Sequence, residues 1–289
     1  ITILYRGVNV RFTNANSFKS KIKDIAKFKG IPAQQVQQQY LLEEILKAIA
    51  RSDYKDAFIL KGGYLIGQII GLDKRTTMDL DVTLKGITLN IDTLISVFNE
   101  IVVLSESAFL FHVESGEAIR GADKYGGVRL KISASYEHLQ EYVFIDITTD
   151  DAITPRQIKY QVLSVFDGKK IDIWSYNLET ILAEKIETIL SRGELSTRPR
   201  DRYDVFVLTQ LNGDTINYAI LSKAIYRTAE KRGTIERIVD WKQTLNKLEQ
   251  SNYQENLWSN YQKRFLYAKE ISYAQTNDCL YELLSRTDI

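Results

Sequence analysis

The 289-residue chain has one cysteine, Cys279, and two histidines, His112 and His138. A single cysteine excludes a disulfide framework and a cysteine-based zinc site, and two histidines are too few for a histidine-rich metal centre. Prolines number three, Pro32, Pro155 and Pro199, and no low-complexity stretch or internal repeat interrupts the chain. No run of about 18 apolar residues is present, which removes the signal for a membrane-spanning helix, and no signal-peptide pattern opens the sequence. The expectation is a cytoplasmic protein with no membrane partner, missing a few leading residues because it begins at Ile1. A surplus of one charge is also lacking. Thirty-eight basic and 37 acidic residues leave a net charge of +1, so no overall basic field advertises nucleic acid, although local patches remain open.

What is present is an ordinary globular composition, 44% hydrophobic and 26% charged, long enough for one large domain or two modest ones. Ser17–Lys29 and Ala33–Ser52 carry apolar residues at helical spacing. From 57 to 150, strands and helices alternate. Short strands are expected over 57–60 and 78–82, and longer ones over Phe109–Val113, Val128–Ala134 and Tyr142–Thr148, with helices over Tyr64–Gly71 and Asn90–Ser105. Beyond 178 the pattern is helical: Leu178–Arg192, Tyr203–Leu211, Tyr218–Lys231, Thr234–Ser251, Trp258–Glu270 and a last helix near the C-terminus. The expectation is an α/β (α+β) chain, with a mixed sheet and flanking helices in residues 1–170 and a helical domain in 171–289.

The chemistry concentrates in two segments, Lys61-Gly62-Gly63-Tyr64-Leu65 and Arg75-Thr76-Thr77-Met78-Asp79-Leu80-Asp81-Val82. Side chains two apart in a strand share a face, so Asp79 and Asp81 project together while Leu80 and Val82 turn to a core. Like charges so placed repel and shift each other's protonation. A hard divalent cation accounts for them, because Mg²⁺ takes carboxylate and phosphate oxygens together. Gly62 and Gly63 stand between a strand and a helix, where main-chain N–H groups form an anion site and a ligand can approach the backbone. Phosphate at the glycines and metal at the aspartates describe a nucleoside triphosphate site.

This double glycine, short helix and Asp-x-Asp strand resembles the nucleotidyltransferases with the DNA polymerase β-like fold. The longer string, Lys61-Gly62-Gly63-Tyr64-Leu65 followed by Arg75-x-Thr77-x-Asp79-Leu80-Asp81, is similar to the AbiEii family, toxins of abortive-infection and toxin–antitoxin systems. The resemblance runs from about residue 33 to 260. It implies a nucleotidyltransferase-fold sheet, two Mg²⁺ ions and a nucleoside triphosphate substrate, GTP or a pyrimidine nucleotide. It further implies an acceptor such as the 3′ end of tRNA, with growth arrest as the outcome, and an antitoxin that is a DNA-binding repressor and acts without a stable toxin–antitoxin complex.

Further residues take their roles from the same resemblance. Asp146, in the apolar strand Tyr142–Ile147, matches a third carboxylate that helps hold a second metal; the alternative is a strand-end aspartate hydrogen-bonded toward Thr148 and Thr149. Lys131 matches a strand lysine that meets the nucleotide, with Ser133 standing where a hydrophobic residue is expected; the alternative is a solvated face shared with Arg129. Lys185, in Leu182-Ala183-Glu184-Lys185-Ile186, is similar to a helical lysine aimed at phosphates, and Ile181, Leu182, Ile186 and Ile189 read as that helix's core face. Arg198-Pro199-Arg200-Asp201-Arg202-Tyr203-Asp204 resembles a closing motif in which Arg200 meets nucleotide and one aspartate orients Lys185 or the base; the alternative is a cap with Arg200 paired to Asp204. The C-terminal aromatics Trp258, Tyr261 and Phe265 fall at helical spacing and read as core rather than as RNA-stacking surfaces. The expected activity is nucleotidyl transfer, and its rivals are a nucleotide-binding regulator without turnover and transfer to a protein hydroxyl.

Overall fold

The computed structural model describes residues 12–119 and 126–289. The chain divides into two compact units, one of residues 1–150 and 158–175, the other of 151–157 and 176–289.

Among the described residues the first unit contains helices α1 (Ala15–Lys29), α2 (Ala33–Arg51), α3 (Gly62–Ile70) and α4 (Ile91–Val102) around seven strands. The strands are β1 (Phe58–Lys61), β2 (Asp79–Leu84), β3 (Leu110–Ile119), β4 (Gly127–Tyr136), β5 (Leu139–Thr149), β6 (Ile158–Leu163) and β7 (Lys170–Ser175). They form one mixed sheet in the order β3-β4-β5-β2-β1-β7-β6. Two pairs, β2 with β5 and β1 with β7, are parallel, and the remaining pairs are antiparallel. One face is apolar: Phe58, Leu60, Leu80, Val82, Val143, Ile145, Ile147, Leu130 and Ile132 are buried. The opposite face carries the charged residues at the alternate positions, as the two-residue period requires.

Helix α2 shows why amphipathic spacing alone underdescribes this core. Its apolar face (Val36, Tyr40, Leu41, Ile45, Ile49) is buried, but so are Glu43, Glu44 and Lys47. Lys47 Nζ lies 3.1 Å from Glu43, 2.9 Å from Glu44 and 3.1 Å from Asp167. Glu43 also accepts from the Ser164 hydroxyl and from the Val165 N–H. The helix thus grips the β6–β7 connection through polar groups that satisfy one another, the condition on which charge is buried. The sequence reading assigns no strand between 150 and 178, whereas β6 and β7 lie there. Strand β6 is an edge with Val162 as its one buried residue, so it offers little pattern; β7 alternates exposed and buried positions from Lys170 to Ile173.

The second unit is helical: α5 (Leu178–Arg192), α6 (Pro199–Asn212), α7 (Tyr218–Arg232), α8 (Ile235–Val239), α9 (Trp241–Glu249), α10 (Asn252–Arg264) and α11 (Tyr273–Ser285). The expected helix over Thr234–Ser251 is two helices broken at Asp240. Ile238, Trp241, Leu245 and Leu248 are all buried and keep helical spacing through the break, so periodicity hides it. The expected helix over Trp258–Glu270 starts earlier, at Asn252, and passes into a 3₁₀ turn at Leu266–Ala268. Trp258 and Tyr261 are buried, as the core reading expects; Phe265 is half-buried, its ring centroid 4.7 Å from that of Tyr261.

Candidate active site

Strand β1 ends at Lys61 and α3 begins at Gly62 with no residue between them. Gly62 has a φ of +64°, a backbone state that favours glycine, and a β-carbon there would sit 2.1 Å from Asp81 Oδ2. A β-carbon on Gly63 would meet the Thr77 hydroxyl at 2.8 Å and the Arg75 guanidinium at 2.9 Å. The two glycines therefore bring the start of α3 against the β2 segment that carries the acidic pair. The Gly63 N–H donates to Asp81 Oδ2 at 3.3 Å. An amide that the sequence reading offers to phosphate thus meets a carboxylate here.

Asp79 and Asp81 are both half-buried on one face of β2, with Leu80 and Val82 turned to the core. The Thr77 hydroxyl donates to Asp79 Oδ1 at 2.6 Å. Burial, and then the charge of Asp79, push the Asp81 carboxyl up to about 6; Lys61 and the Gly63 N–H pull it down, and Asp146 adds to the rise. The strand register explains those neighbours. Lys61 on β1 pairs with Asp81 on β2, Asp81 with Asp146 on β5, and Asp146 with Arg129 on β4. Paired residues point to the same face, so four adjacent strands present a row of positive, negative, negative and positive side chains. Lys61 is buried and its Nζ donates to Thr148 Oγ1 at 2.5 Å. Arg129 Nε and Nη2 donate to Asp146 Oδ1 and Oδ2 at 2.6 and 2.7 Å. Two residues along, Lys131 Nζ stands 4.1 Å from the centroid of the Tyr142 ring.

Arg75, Thr77, Lys61 and Arg129 received no role from the sequence. For Arg129 a signal existed, since it alternates with buried neighbours opposite a carboxylate strand. The Asp146 partner, however, depends on the β4–β5 register.

In the helical unit, Lys185 on α5 reaches two carboxylates of α6, Asp201 Oδ1 at 2.6 Å and Asp204 Oδ2 at 2.9 Å. Both aspartates are buried, and Arg198 Nε approaches Asp201 Oδ2 at 3.0 Å. The Arg200 guanidinium lies 5.3 Å from the Phe265 ring centroid. The neighbouring Glu184 faces the other way and pairs with Arg232 at 2.9 Å. Ile181, Leu182, Ile186 and Ile189 form the buried face of α5, as their spacing predicts.

Among the described residues no three of His, Cys, Asp and Glu gather as a metal cage. Mg²⁺ does not need one, because it keeps several waters and is held by one or two carboxylates plus substrate phosphates. The hard oxygens of Asp79 and Asp81, part open and on one strand face, fit such an ion. Among the described residues no helix is long and apolar enough to cross a membrane.

Residues 44–277 match the model of a family described as the nucleotidyl transferase AbiEii toxin of type IV toxin–antitoxin systems. Two solved structures share the fold at low identity. One is a candidate nucleotidyltransferase from H. pylori, 14% identical, with a TM-score of 0.51 over 88% of this chain and 95% of that one. The other is JHP933 from Helicobacter pylori, also 14% identical, with a TM-score of 0.51 over 87% and 90%. No curated protein matches the chain.

Proposed function

This chain belongs to the AbiEii family of nucleotidyl transferase toxins of type IV toxin–antitoxin systems, and from that premise we propose that it transfers a nucleotidyl group from a nucleoside triphosphate to RNA, the 3′ end of tRNA being the acceptor class. The acceptor hydroxyl attacks the α-phosphorus in line. A new oxygen–phosphorus bond forms, the bond to the β-phosphate oxygen breaks, pyrophosphate leaves and the hydroxyl proton passes to solvent. Bound Mg²⁺ would supply charge neutralisation at the entering and leaving oxygens. Asp79 and Asp81 would hold it, with Thr77 fixing Asp79 and Gly63 fixing Asp81. Gly62 and Gly63, lacking side chains, leave room for the triphosphate. Lys131 and Arg200 are assigned to the nucleotide. Lys185, oriented by Asp201 and Asp204, is assigned to a phosphate or the leaving group. Growth arrest then follows from blocked tRNA, and the cognate antitoxin implied by the family acts without a stable complex.

The observation that supports the reading best is the Asp81 carboxyl, half-open and pushed up to about 6 beside Asp79 at a glycine turn. Carboxylates strained in this way are favoured at functional sites. The test is incubation with each α-labelled nucleoside triphosphate, Mg²⁺ and total tRNA. Label at the tRNA 3′ end is the expected result, lost in Asp81→Asn. Label in protein points to a protein hydroxyl as acceptor. Nucleotide binding without transfer points to a regulator, and no binding at all ends the reading.

A further inference from the structure

The row across β1, β2, β5 and β4 contains one more relation, which rests on the nucleotidyl-transfer reading and refines it. Asp146 is the register neighbour of Asp81 and the obvious third acidic ligand, yet both of its oxygens accept from Arg129 in a bidentate pair. That geometry is the strongest form of arginine–carboxylate contact. The Asp146 side chain is 11% exposed and the Arg129 side chain 36%. The carboxylate is therefore enclosed while part of the cation remains open. A guanidinium presents five N–H donors, of which the pair uses two, and among the described residues Arg129 donates to Asp146 only. Its plane also lies 5.7 Å from the Phe144 ring centroid, which limits its freedom. A dication on Asp146 would have to sit beside this fixed positive charge.

We propose that Arg129, held by Asp146, takes the place of a second divalent cation: the site binds one ion, on Asp79 and Asp81, and Arg129 offers its open edge to a phosphate of the nucleotide. Asp146 is then a positioning residue rather than a metal ligand. The arrangement suits the chemistry, because arginine matches phosphate geometry and keeps its charge at every working pH.

Mn²⁺ titration of the full chain, with free ion read by electron paramagnetic resonance, tests this without reference to activity. One ion per chain is expected, and Asp81→Asn should weaken it at least tenfold. Asp146→Asn, checked for folding by circular dichroism, should leave its affinity within threefold. Arg129→Gln should free Asp146 and add a second Mn²⁺ site, while weakening GTP binding at least tenfold; Arg129→Lys should recover part of that loss. Two ions on the unaltered chain, or a tenfold loss of the first ion in Asp146→Asn or Asp146→Glu, would overturn the assignment of Asp146 and leave nucleotidyl transfer standing. Absence of Mn²⁺ binding, together with no binding of ATP, GTP, CTP or UTP, would remove that reading too, and the inference with it.

Discussion

Gly62 is where a single atom decides the site. Its φ of +64° and the 2.1 Å that would separate an added β-carbon from Asp81 Oδ2 act together. Gly62→Ala adds backbone strain of about 1 kcal/mol or more and drives Asp81 from the Gly63 N–H. The expected result is a melting temperature several degrees lower together with loss of Mn²⁺ binding; an unchanged melting curve would show that the turn relaxes freely. Asp81 itself predicts a pH dependence. Its folded carboxyl, raised to about 6, lies above its unfolded value. The folded state therefore holds the proton more tightly. The stabilisation this gives is fully present at low pH and is lost as pH rises through about 6. Mg²⁺ competes with that proton. The shift in melting temperature between Mg²⁺ and chelator should be near zero at pH 5 and positive at pH 8, and Asp81→Asn should flatten it. A shift that is equal at both pH values would exclude Asp81 as the ligand.

At the scale of elements, α5 and α6 are joined by a lysine between two buried aspartates. Lys185→Ala leaves Asp201 and Asp204 with reduced compensation in a buried setting, and breaking such a pair costs about 3 kcal/mol. The urea midpoint should fall accordingly, and Lys185→Ala/Asp204→Asn should regain part of the loss because one stranded charge is gone. No change in midpoint would mean that the pair contributes little. The consequence for function is direct. Lost transfer in Lys185→Ala is not by itself evidence of a nucleotide contact, and only a variant that keeps the melting temperature can separate the two roles. Sequence spacing revealed the core face of α5 and placed Asp201 and Asp204 on one turn of α6. The pairing of both with Lys185, rather than of Asp204 with Arg200, comes from the packing of α5 against α6.

For the whole molecule the chain path matters, because residues 158–175 return to the first unit after 151–157 have joined the second. The departing segment is tied down in the helical unit. The Thr154 N–H donates to Thr180 Oγ1 at 3.0 Å, and Asn177 Nδ2 donates to the carbonyls of Thr154 and Arg156 at 2.8 and 3.1 Å. Strand β7, Lys170–Ser175, is the neighbour of both β1 and β6. A fragment ending at 170 therefore strips one of the two strand partners from β1 beside the glycine turn, leaving β2, and leaves β6 unpaired. It is expected to lack a cooperative melting transition, whereas a fragment ending at 175 should melt more cooperatively. Equal behaviour of the two would show that β7 is dispensable.

The sequence by itself determined the parts of this protein that are local. Period-two alternation put Asp79 and Asp81 on one strand face; the double glycine marked a turn at which the backbone must be bare; the joint spacing of these motifs carried the family. It also showed the helices of the second unit, because buried stripes recur every three to four residues whatever they pack against. Only the tertiary structure decided which charges meet. That Asp81 stands between Lys61 and Asp146, that Arg129 holds Asp146, and that Lys47, beside Glu43 and Glu44 on its own helix, also meets Asp167 are consequences of register and packing between residues 17 to 120 apart. A charged residue reads alike in sequence whether solvent or an opposite charge faces it, and the strand neighbours that distinguish the two are set by the sheet order.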